Sequence, residues 1–77
     1  MHEGKLDEAV GLLRMALELV PDQGKTWLVL AAICDTQGKL REERDALRMA
    51  LRCELPEVVA DKVRRSLASI NEKIGND

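Results

Sequence analysis

The sequence predicts an all-α protein, and three observations carry the prediction. The first is an internal echo. Gly4-Lys5-Leu6-Asp7-Glu8 returns 34 residues later as Gly38-Lys39-Leu40-Arg41-Glu42, and Leu13-Arg14-Met15-Ala16-Leu17 returns unchanged as Leu47-Arg48-Met49-Ala50-Leu51. Residues 4–24 and 38–58 agree at nine of 21 positions, where ordinary composition gives roughly one or two. A fixed period of this length marks stacked helix–turn–helix units. The second observation is composition: leucine and alanine lead the apolar residues, ahead of valine, and Trp27 is the sole aromatic residue, whereas strands favour aromatic and β-branched side chains. The third is spacing, because apolar residues recur at intervals of three and four.

The first helix is predicted over about residues 5–20, with Leu6, Ala9, Val10, Leu13, Ala16, Leu17 and Val20 on its apolar arc. Gly4 precedes it and Pro21 stops it. The arc spans roughly 160°, wide enough to meet more than one neighbour. Pro21-Asp22-Gln23-Gly24 is turn chemistry, and Asp22 is the expected N-cap of a second helix over about 24–36. That helix is apolar nearly all round, from Trp27 to Cys34, and belongs at the centre. Gly38 is placed to take the left-handed conformation that ends it. A third helix, about 40–54, sets Leu40, Leu47, Ala50 and Leu51 on one face. Pro56 is expected as the first-turn proline of a fourth helix, about 56–74. Its apolar row is Val59, Val63, Leu67, Ile70 and Ile74, and Asp61 can pair with Arg65 one turn away. Gly75 closes it, and Asn76-Asp77 are expected to fray.

Size allows one small domain with a modest core. The formal net charge is −2, with both signs interspersed, which argues against a dedicated nucleic-acid or anionic-membrane binder. The longest apolar run has eight residues, Trp27 to Cys34, and a bilayer span needs about 20. The N-terminus lacks the order of a signal peptide. Cys34 and Cys53 have no metal-ligand spacing and read as reduced thiols, which points to the cytoplasm. No nucleophile elbow, phosphate-cradling glycine loop or metal-spaced cluster is present. His2 is the only histidine. The expectation is therefore neither an enzyme nor a cofactor binder.

The phase of the echo carries a family resemblance. Trp27, Leu30, Ala31 and Cys34 fall on the W-x2-L-G-x2-Y positions, and Ala9 and Leu13 on A-x3-F. Ala16 and Ala50 follow, Pro21 closes one unit, and Pro56 lies one residue beyond the equivalent place in the next. Over about residues 4–56 the chain resembles a tetratricopeptide-repeat protein, and the fourth helix resembles that family's C-terminal capping helix. The resemblance implies a right-handed α-α superhelix in a single domain over 1–77. Residues 1–21 would be the second helix of a truncated repeat, 22–55 a full repeat, and 56–77 the cap.

It also implies protein–protein interaction, as an adaptor, co-chaperone or assembly factor. Three departures shape that implication. Glu43 stands where the first unit has Ala9, and it needs a partner such as Arg64 or Arg65 to be buried. The first unit lacks its opening helix. The family's carboxylate clamp is matched only by Lys25; Leu28, Val29 and Ala32 occupy the other places and suit an apolar ligand.

The candidate contact residues are thus Lys25, Leu28, Val29, Ala32 and Val10. Leu28, Val29 and Ala32 either line a groove for an amphipathic helix or pack on a further helix of a longer array or a second copy, giving a homo-oligomer or an exchange of helices. Arg41, Arg44, Arg48 and Arg52 form a row on the third helix. It is either a solvated flank interleaved with Glu42 and Asp45, Arg41 reaching Asp45, or a face for an acidic or nucleic-acid partner. Trp27 reads as a core wedge rather than a hot spot, Met15 and Met49 as outer-face residues, and Cys53 as a small, partly buried apolar residue.

Overall fold

A computed structural model describes the backbone of residues 2–75 and the side chains of residues 4–75. Four helices follow one another: α1 (His2–Leu19), α2 (Gly24–Thr36), α3 (Leu40–Arg52) and α4 (Glu57–Ile74). No strand occurs among the described residues. Each helix packs on the next, α1 on α2, α2 on α3 and α3 on α4, and the α2–α3 contact is the most extensive. Asn76 and Asp77, expected to fray, lie outside the described residues, as does the side chain of His2.

The helix ends depart from expectation in small, explicable ways. α1 begins at His2 rather than near Lys5, because Gly4 is tolerated within a helix at a modest cost. Gln23, not Asp22, is the N-cap of α2, and it makes no side-chain cap bond. Its amide instead donates to the carbonyl of Val20 at 2.7 Å, satisfying the end of α1. α3 stops at Arg52, where Cys53 turns to extended backbone. Pro56 is the N-cap of α4 rather than its first-turn residue. Gly38 adopts φ 74° as expected. The Gly38 N–H donates to the Asp35 carbonyl and the Lys39 N–H to the Cys34 carbonyl, the paired closure of a Schellman turn.

The core forms where α2 lies between its neighbours. Cys34 and Leu30 are almost wholly enclosed, joined by Ala31, Leu17, Ala46, Leu47, Val63 and Ile70. Small residues let α2 and α3 come close: Ala31 and Cys34 on one, Ala46 and Ala50 on the other, all buried. Gly24 serves the same approach at the start of α2. A Cβ there would lie 2.6 Å from Leu55 Cδ2 and 3.3 Å from Cys53 Cβ. Trp27 packs against this core, and its indole N–H donates to the Pro21 carbonyl at 2.8 Å, tying α2 to the preceding turn.

Glu43 breaks the apolar pattern. It is 9% exposed among the buried residues, and its Oε1 has no hydrogen-bond partner. The groups that act on it are Asp35 of α2 and Lys73 of α4, not Arg64 or Arg65. Burial, then the Asp35 carboxylate beside it, push the Glu43 carboxyl above its ordinary range, and Lys73 only partly opposes this. The sequence position equivalent to Ala9 has thus become a buried acid with a second acid as neighbour.

Candidate interaction surface

α1 presents two faces. Val10, Leu13 and Leu17 pack into the core. On the other side, Leu12, Met15 and Leu19 are 68, 64 and 83% exposed. Their spacing of three and four places them in one row. Val20, 53% exposed, continues it into the turn. Glu8, Gly11, Leu12 and Met15 line a shallow depression of about 560 Å³. Single exposed leucines are ordinary on any protein, but a contiguous row is the kind of surface that marks an interaction site.

The residues singled out in the sequence are dispersed over the fold. Val10 and Leu28 are half-buried and pack against the core. Lys25, Val29 and Ala32 are exposed along α2, and of these only Val29 is a large apolar group, at 50%. Arg41, Arg48 and Arg52 are exposed on α3, whereas Arg44 is drawn in and reaches Asp45 at 3.3 Å. Met15 is exposed as expected, but Met49 is half-buried, because α2 covers that flank of α3. The Asp61–Arg65 pair forms at 3.1 Å.

A second depression, of about 380 Å³, runs between the walls of α1, α2 and α3, with Trp27 and Leu30 opposite Glu42, Ala46 and Met49. Arg14 reaches across it toward Glu42 at 4.0 Å. Both groups are about half exposed, so the bridge adds little. Gln37 donates to Asp7 at 2.8 Å and links the C-terminus of α2 to α1. Burial is the main reason both thiols, Cys34 and Cys53, titrate above the ordinary cysteine range. No cluster of three or more His, Cys, Asp or Glu able to hold a metal occurs among the described residues. No helix among them is long and apolar enough to cross a membrane.

The open row of α1 is only partly legible in the sequence, which points to Val10 and an outward Met15 on this helix but not to Leu12 or Leu19. Leu12 and Leu19 fell outside the apolar arc drawn from three- and four-residue spacing. The available signal was local: from Leu12 to Val20 only Arg14 and Glu18 are polar, so this half of α1 is apolar nearly all round. Comparison with protein families, with curated proteins and with solved structures finds no match to the chain.

Proposed function

We propose that this chain is a protein–protein interaction module of the tetratricopeptide-repeat type, a right-handed stack of one and a half helix–turn–helix units closed by α4. It engages a helix or peptide of a partner, as an adaptor, co-chaperone or assembly factor does. The observation that carries this reading is the exposed row Leu12–Met15–Leu19 on α1. Burying a leucine or methionine side chain contributes about 1.5–3 kcal/mol, so three neighbouring anchors suffice for the centre of an interface. Lys5, Glu8 and Glu18 are exposed on the same helix and would form a charged rim that sets partner choice more than affinity. The 34-residue echo and the packing of each helix on its successor support the repeat assignment.

A photo-crosslinking side chain placed at Met15 tests this in the native cell. It should yield discrete covalent adducts at several times the yield obtained from Val58, which is equally exposed on α4. Equal yields at the two positions, or none at Met15, would remove the interaction reading.

A further inference from the structure

The internal echo says what should cover the open row of α1, because each of its residues has a counterpart on α3 whose surroundings are known. Leu12 corresponds to Ala46, Met15 to Met49, Ala16 to Ala50 and Leu19 to Cys53. Ala46 is 2% exposed and Ala50 fully enclosed, against 68% for Leu12 and an exposed Ala16. What encloses the α3 set is α2. Ala46 and Met49 form one wall of the cleft whose other wall is Trp27 and Leu30, and Cys53 meets the start of α2 at Gly24. The opposite faces of the two helices behave alike, since Leu13 and Leu17, like Leu47 and Leu51, belong to the core. α3 has two helical neighbours and α1 has one among the described residues. The residues whose burial differs most are those that α2 covers on α3.

We infer that the open face of α1 is the seat of an amphipathic helix of the α2 type, supplied by a partner protein. This rests on the interaction reading above and names its partner chemistry. The occupant presents bulky apolar residues at i and i+3 and small ones at i+4 and i+7, as α2 presents Trp27, Leu30, Ala31 and Cys34. Leu12 in place of Ala46 and Leu19 in place of Cys53 make the α1 seat bulkier than its α3 counterpart. Leu12, like Ala46, stands opposite the occupant's bulky pair across a depression that on α3 has room to spare, whereas Leu19, like Cys53, meets its first turn, where the occupant needs a residue as small as Gly24 and a larger one overpacks. α2 of a second copy does not fit the role, because its corresponding face is already buried against its own α3.

The probe is a peptide of residues 22–38 with Cys34→Ala, held helical by a lactam between Lys25 and a Val29→Glu side chain; both positions lie on the outer face of α2. Titrated into the full-length ¹⁵N-labelled chain, it should bind saturably at one to one and shift amides between Glu8 and Val20. Leu12→Glu and Leu19→Lys, both at exposed positions and so harmless to folding, should each weaken binding at least about tenfold. Val58→Glu should leave it unchanged. A scrambled peptide that binds as well, or shifts centred on α3 and α4, would overturn the inference. So would dimerisation of the chain through α1, abolished by Leu12→Glu and excluding the peptide, which would make a second copy the occupant. Absent peptide binding with the Met15 crosslink retained would reject the α2-type helix while leaving the interaction reading in place.

Discussion

Replacing Glu43 by Gln should stabilise the protein at neutral pH, contrary to the general rule that changes to buried residues destabilise. The side chain is 9% exposed, its Oε1 lacks a hydrogen-bond partner, and the acid that acts on it is Asp35. Leaving a buried polar atom unsatisfied costs about 1–3 kcal/mol. An amide of the same shape removes the charge and can donate to Asp35. A gain of about 1–2 kcal/mol follows, worth about 4–16 °C in Tm for a domain of this size. The pH dependence carries the diagnostic sign. Because the folded-state carboxyl titrates above its unfolded value, the folded state holds the proton more tightly. Its contribution is fully present below the ordinary glutamate range and is lost as pH rises through the raised folded value. Urea titrations followed by far-ultraviolet circular dichroism between pH 4 and 8 should show the two proteins converging at the acid end. The advantage of Glu43→Gln should grow with rising pH and then level off. A variant less stable than the parent at pH 7, or a difference independent of pH, would refute the reasoning and make Glu43 a carboxylate stabilised by Lys73.

Other expectations follow from the same packing. Gly24→Val should destabilise by about 1–3 kcal/mol in thermal melts, since Leu55 and Cys53 occupy the space any β-branched side chain needs. Gly38→Ala meets no steric obstacle but must hold φ at 74°, which costs about 1–2 kcal/mol; a variant of unchanged Tm would mean that the α2–α3 turn has relaxed. Under native conditions iodoacetamide should modify half-buried Cys53 well before Cys34, which is fully enclosed. Cys34 labelling, read by mass spectrometry, should accelerate with urea in step with unfolding.

How much of this was legible depends on what each feature needs. Helix number and order follow from local signals: the interval of apolar residues, Pro21, and Gly38 and Gly75 at left-handed positions. The centrality of α2 was readable from its all-round apolarity. The cap of α2 differs from expectation because Asp22 is the better capping residue by type, yet the helix starts one residue later, where the Gln23 side chain closes α1 instead of capping α2. The environment of Glu43 was half legible. Its mismatch with Ala9 stood out, but Asp35 and Lys73 come from other helices and no sequence interval links them to it. Four of the candidate contact residues, Lys25, Leu28, Val29 and Ala32, came from the repeat phase of α2, with Val10 on α1 and the arginines on α3, whereas exposed apolar surface is set by which faces lack a neighbour. That pattern depends on packing, and it placed the open row on α1.

The echoed pentapeptide makes this point in one step. Leu13-Arg14-Met15-Ala16-Leu17 and Leu47-Arg48-Met49-Ala50-Leu51 are the same residues in the same secondary structure. Yet Ala16 is exposed and Ala50 enclosed, Met15 is 64% exposed and Met49 half-buried. Local sequence fixed the helix in both cases, and the number of neighbours fixed everything else. The consequence for energetics is direct. α3 is held from two sides, α1 and α4 from one each, and the α1–α2 contact is the least extensive of the three, so α1 is the helix whose local opening costs least. A ligand that binds only docked α1 must then raise the stability of that helix by mass action. On the proposed docking of a helix at Leu12, Met15 and Leu19, binding and the ordering of α1 on α2 would form a single linked equilibrium, and a substitution that loosens Leu17 from the core should weaken that binding without touching the partner.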